Sequence, residues 1–163
     1  MEDAPFEELE PRCQLRLRRR ALGLTQGELA RRVGTSQPTL AAIESGQRGL
    51  SAAMEVKLRK VLSCTPSEML RRHRSELVAA AEELGLTNLR VFGSVARGED
   101  TAQSDIDLMV ELGPQQGELF PTVTFSQRAE RILGAPVDVI LRPSYNVAKR
   151  PSAQRVLAES VAV

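Results

Sequence analysis

The stretch Leu89-Arg90-Val91-Phe92-Gly93-Ser94, followed after ten residues by Asp105-Ile106-Asp107-Leu108-Met109-Val110, reads as a strand, a tight turn and a second strand. Side chains alternate faces along a strand, so Asp105 and Asp107 share one face while Ile106 and Leu108 fill the other. Carboxylates held that close repel one another. One or two divalent cations between them relieve the repulsion and bind triphosphate oxygens, so the pattern asks for metal and nucleotide. Downstream, Pro136-Val137-Asp138-Val139-Ile140-Leu141 reads as a short β-branched strand whose single Asp sits among apolar residues, where an unpaired charge is costly. Asp138 is the expected third carboxylate.

From about Arg74 to the end, the chain resembles the minimal nucleotidyltransferases of the DNA polymerase β superfamily. The resemblance rests on Val91-Phe92-Gly93-Ser94-Val95-Ala96-Arg97-Gly98 and Ser104-Asp105-Ile106-Asp107-Leu108, at the family's spacing, and on the later strand residue Asp138. It implies a metal-dependent transfer of a nucleotidyl group from ATP or another NTP, with Mg2+, two ions in this superfamily, held by Asp105, Asp107 and Asp138. By the same resemblance Asp138 is either the third ligand or the base that deprotonates the acceptor hydroxyl. Gly93 permits the tight turn and Ser94 offers a hydroxyl and a backbone N–H to the outer phosphates. Arg97 either adds positive charge there or pairs with Glu99 or Asp100, and Lys149 and Arg150 are candidates to reach the nucleotide from the C-terminal segment. Gly117-Glu118-Leu119-Phe120 follows the family pattern. Pro121-Thr122-Val123-Thr124-Phe125 departs from it with a Pro and β-branched residues, so helix is expected only from Ser126 to Leu133.

Upstream, Leu24-Thr25-Gln26-Gly27-Glu28-Leu29-Ala30-Arg31-Arg32-Val33-Gly34 and Thr35-Ser36-Gln37-Pro38-Thr39-Leu40-Ala41-Ala42-Ile43-Glu44-Ser45-Gly46 read as helix, turn, helix. Thr25 and Glu28 form a capping box, and Leu29, Ala30 and Val33 make an inner face at helical spacing. Gly34 stops the first helix and Thr35 opens the second. Leu40 and Ile43 face the core, which leaves Gln37, Pro38, Thr39 and Ala42 in front. From about Arg12 to Arg72 this is similar to the helix-turn-helix domains of the phage-repressor family (Cro/C1, XRE type), whose second helix enters the major groove. The resemblance implies double-stranded operator DNA as a partner, a homodimer on that DNA, and contacts from Gln26, Ser36, Gln37, Thr39 and Arg48. Pro38 and Ala42 stand where larger polar side chains often read bases, so selection is expected to lean more on DNA shape.

The formal net charge of +1 hides two opposite halves. Residues 12–74 carry 14 Lys and Arg against 4 Glu, whereas residues 75–163 carry 8 basic and 12 acidic groups. A basic helical module suits a phosphate backbone. The expected organisation is an acidic flexible tail over 1–11, a helix-turn-helix domain over 12–72 and a nucleotidyltransferase domain over 73–163. The fold class is thus an all-α bundle followed by a small α/β (α+β) domain with a short mixed sheet. Gly49 or Ser51 begins a helix with Met54, Leu58, Val61 and Leu62 inward. Thr65-Pro66-Ser67-Glu68 then opens a connecting helix of about 66–84 with an N-cap, a first-turn Pro and a capping box. That helix either runs unbroken or hinges near His73, itself expected on the helix surface. Cys13 and Cys64 are isolated and fit neither a zinc pattern nor a disulfide framework. With no Trp and 3% aromatic residues there is no stacking platform for single-stranded RNA. No run reaches the length of a membrane span and no leader is visible, so a cytoplasmic protein without membrane contact is expected.

Three functions of different kinds fit these features. The first is an antitoxin of a type VII-like toxin-antitoxin system. It would move NMP, AMP in members of the resembled group, from NTP to a hydroxyl, a Tyr, of a cognate HEPN-type RNase toxin, and would repress its own operon. The second is a transcriptional regulator whose nucleotidyltransferase domain only senses nucleotide or is inactive. The third is a small-molecule nucleotidyltransferase. Those usually add a sizeable acceptor-binding domain, and the residues after Leu141 are too few for one.

Overall fold

The computed structural model describes residues 4–114, 120–143 and 151–163. Helices form where caps and apolar spacing coincide. α1 (Pro11–Ala21) starts on a proline, tolerated in a first turn whose N–H groups have no helical partner. α2 (Gln26–Val33) opens on the Thr25–Glu28 capping box, both halves of which are made, and ends at Gly34 in the left-handed conformation. α3 (Gln37–Ser45) is capped by Ser36, whose hydroxyl accepts the Thr39 N–H. Thr35, the expected opener, instead returns its N–H to Ala30 O at 2.9 Å and belongs to the end of α2. α4 (Ala52–Val61) is capped by Ser51. Leu15, Leu29, Ala30, Val33, Leu40, Leu58 and Leu62 make one apolar core, with Met54 and Val61 at its margin.

The second core lies under a four-stranded mixed sheet of order β3-β2-β1-β4. β1 (Leu86–Phe92) runs antiparallel to β2 (Ile106–Leu112) and to β4 (Val161–Ala162), and β2 runs parallel to β3 (Val137–Leu141). β1 starts ahead of Leu89, with an irregularity between Thr87 and Arg90 where Asn88 takes a φ of 51°. α5 (Pro66–Glu83) and α7 (Pro121–Leu133) cover one face, setting Leu77, Ala81, Phe125, Ala129 and Leu133 against Val91, Ile106, Leu108 and Val110. α6 (Gly93–Arg97) follows β1, and α8 (Pro151–Glu159) precedes β4.

Several expectations are corrected. α7 begins at Pro121 and not at Ser126: proline fits a first helical turn, and Phe125, fully buried, outweighs the weak helix propensity of its β-branched neighbours. α5 is unbroken through His73, which decides between the two expected forms of the connecting helix, and its Met69 and Leu70 lie in the same core as Leu77 and Ala81. Residues 4–11 are no loose tail. Phe6 is 4% exposed, and its N–H donates to the buried Glu130 carboxylate at 3.0 Å. His73 is drawn into the seam between the halves: its Nε2 stands 2.7 Å from Ala21 O, while Arg72 donates to Leu22 O at 2.7 Å. Leu22 packs against both cores, and α1 supplies Leu15 to one and Ala21 to the other. Both cysteines are free. Burial and the Glu68 carboxylate push the Cys64 thiol up to about 11, which keeps it protonated. Among the described residues no helix is long and apolar enough to cross a membrane.

Candidate active site

Strand register sets the site. Phe92 pairs with Asp107 across β1 and β2, and Asp107 pairs with Asp138 across β2 and β3, which puts the two carboxylates side by side. Asp105 precedes β2 by one residue and is exposed. The inner face of β2 is filled by Ile106 and Leu108, both fully buried, as alternation requires. Gly93 closes the turn directly onto Asp107: its φ is 70°, and a Cβ there would collide with the Asp107 carboxylate. The chain then enters α6 through Ser94.

Asp107 is half-buried and its carboxyl is held above the ordinary Asp range, first by burial and then by the charges of Asp138 and Asp105, with Arg97 opposing. Asp138 was expected amid apolar residues, yet it is exposed. β3 forms an edge of the sheet, where outward positions stay open, and the desolvation falls on Asp107 in the middle of the row. Among the described residues no group of three or more His, Cys, Asp and Glu closes round a metal position. The chemistry of the set nevertheless fits Mg2+. Its donors are all carboxylate oxygens, a cation would relieve the repulsion on Asp107, and phosphate and water oxygens ordinarily complete such a sphere.

Arg97 resolves toward pairing: Nε donates to Glu99 at 2.8 Å and Nη1 to Glu159 at 3.1 Å. Asp100 turns away and accepts the Ser67 N–H at the start of α5, at 2.8 Å. Glu159, brought in by α8, was not foreseen. Gly117, Glu118, Leu119, Lys149 and Arg150 lie outside the described residues.

On the helical N-terminal half, Gln37 is exposed in the first turn of α3 and its amide donates to Gln26 Oε1 at 3.1 Å. Gln26 is half-buried and donates in turn to Glu44 at 2.9 Å, so it supports the surface from beneath. Glu44 receives a bidentate fork from Arg19, at 2.7 and 2.8 Å, and both partners are buried. The Ser36 hydroxyl donates to Thr39 Oγ1 at 2.9 Å while capping the helix, and Arg48 is exposed after α3. The Arg19–Glu44 pair was missed. Its signal lay in the spacing, since each charge stands four residues from a core leucine, Leu15 and Leu40.

A helix-turn-helix family model matches residues 15–69, and a nucleotidyltransferase domain model matches residues 71–161. The chain is 33% identical over 95 residues to "Protein adenylyltransferase MntA" of Thermococcus cleftensis, covering 58% of this chain and 89% of that one. It is 37% identical over 78 residues to "Putative protein adenylyltransferase MJ1379" of Methanocaldococcus jannaschii, covering 47% of this chain and 75% of that one. A solved "Structure of putative minimal nucleotidyltransferase" shares 29% identity and overlays 60% of this chain and 95% of its own at a TM-score of 0.49, too loose to rest an argument on. With the second model spanning more than half of its length, the chain belongs to the nucleotidyltransferase domain family, and it carries a helix-turn-helix domain in front of that catalytic half.

Proposed function

We propose that the protein is an antitoxin: it transfers a nucleoside monophosphate, AMP, from ATP to a tyrosine hydroxyl of a HEPN-type toxin, and it represses its own operon as a DNA-bound homodimer in the cytoplasm. The carrying observation is the row of Asp107 and Asp138 closed off by Gly93, with Asp138 on an exposed sheet edge. The names of the relatives support a protein as acceptor. Bound at Asp105 and Asp107, Mg2+ would supply the positive charge that a triphosphate and a departing pyrophosphate need. The chain's own residues do the rest. Ser94 gives its hydroxyl and N–H to the outer phosphates, and Asp138 takes the proton of the acceptor hydroxyl as its oxygen bonds the α phosphorus and the bond to pyrophosphate breaks. The exposure of Asp138 suits an acceptor as large as a folded protein.

The test is incubation with Mg2+, the product of the neighbouring reading frame and labelled ATP, GTP, CTP or UTP in turn. Label should move to the partner protein, from ATP most, and not with Asp107→Asn. A wild-type chain that binds NTP yet transfers nothing to that partner would fit a nucleotide-sensing regulator instead. On the DNA side, footprinting should reveal a palindrome upstream of the gene with half-sites roughly 34 Å apart.

A further inference from the structure

α1 presents consecutive arginines to opposite halves of the molecule. Arg19 turns toward the helix-turn-helix core and holds Glu44. Arg18 turns the other way. Its Nε donates to Gly134 O at 3.1 Å, and its Nη2 reaches Ala102 O at 3.5 Å, the long limit of a hydrogen bond. Phe6 lies over the guanidinium, its ring centroid 6.0 Å from Cζ.

These carbonyls are not arbitrary. Ala102 belongs to the loop between α6 and β2 that delivers Asp105, and Gly134 to the turn between α7 and β3 that delivers Asp138. The loop is held from its other side by the bond from Ser67 N–H to Asp100. Loop and turn are joined to each other where Ile106 N donates to Pro136 O at 3.1 Å. α1 also touches the turn directly: a Cβ at Gly134, φ 63°, would come within 2.8 Å of Arg18 Cα and 2.9 Å of its N. Burial costs the Arg18 charge, the largest influence lowering its pKa, so a guanidinium kept there must use its N–H groups.

The geometry points to Arg18 as a positioning residue of the transfer site: from a helix of the DNA-reading half it braces the loop that carries Asp105 and the turn that carries Asp138, so the catalytic half is complete only with α1 in place. The assignment rests on the proposed function for what the carboxylates do, but the bracing can be measured without it.

Arg18→Met keeps the stem under Phe6 and removes the donors, whereas Arg18→Lys keeps the charge and one donor for Gly134 O. In the full chain, free of metal and nucleotide, amide exchange over residues 98–106 and 133–138 should quicken in Arg18→Met, quicken less in Arg18→Lys, and stay unchanged over α2 and α3. Mn2+ affinity, read by electron paramagnetic resonance, should drop about 10- to 100-fold in Arg18→Met. Transfer should lose about 10- to 100-fold in kcat, with KM for the NTP less affected. A folded Arg18→Met with wild-type exchange in both segments and wild-type Mn2+ affinity overturns the proposal. Should Arg18→Met not fold, Gly134→Ala strains its own turn at φ 63° but also pushes α1 off it with Arg18 intact, so it must loosen residues 98–106 as well, and wild-type exchange there overturns the proposal equally. If the wild-type chain transfers no nucleotide, the functional reading fails alone, and the exchange result still decides the bracing.

Discussion

Glu44 shows what one buried charge can hold. It closes the Arg19 fork on one side and anchors Gln26, and through it Gln37, on the other. Replacing it with alanine leaves the Arg19 guanidinium buried and uncompensated, a loss of about 3–5 kcal/mol in denaturant unfolding. Removing both charges with Arg19→Met and Glu44→Leu should return most of that stability, but Gln37 would still lack its anchor and operator selectivity would still relax. Asp107 is the opposite case, a charge that the fold bears at a cost. Its folded-state pKa is raised, so its contribution to stability is fully present in acid, where the carboxyl is protonated, and is lost as pH rises through the folded value. Metal-free Asp107→Asn should therefore melt higher than wild type at neutral pH, the difference should vanish in acid, and transfer should be abolished. Thermal scans over a pH series check the sign. Gly93, Asp105 and Asp107 were legible because turn and alternation are local. The exposure of Asp138 was not, because the pattern of one strand does not say whether it lies at the centre or the edge of a sheet.

At the scale of elements, caps were the most readable features. Both capping boxes, at Thr25 and Thr65, form as the spacing requires. Thr65→Ala should cost about 1 kcal/mol by denaturant unfolding. Glu68 is held below the ordinary Glu range by its bonds to Cys64 and Thr65, so the support it gives the cap is present at neutral pH and is lost as pH falls through that lowered value. The cost of Thr65→Ala should shrink correspondingly in acid. α7 was misread at its start because propensity argued against Pro121-Thr122-Val123-Thr124, while the deciding fact, Phe125 against the sheet, is tertiary. The N-terminal segment was misread for the same reason, since Phe6 bonds a residue 124 positions away and no local pattern carries that distance.

The whole molecule depends on α1 serving two cores. A chain whose halves share a helix unfolds as one unit, so calorimetry should show a single transition with equal calorimetric and van't Hoff enthalpies. Two separable transitions would contradict the shared seam. The basic surplus of residues 12–74 was read only as an attraction for phosphates, yet Arg18 and Arg19 spend their donors within the protein, and the exposed Arg72 gives one to Leu22 O. Composition counts charges without saying where they point. Modules that meet only through a linker can be traded between lineages one at a time. α1 makes that trade costly in this chain: a borrowed helix-turn-helix half would leave the second core a gap unless it brought an arginine where Arg18 stands and an apolar corner where Ala21 and Leu22 stand.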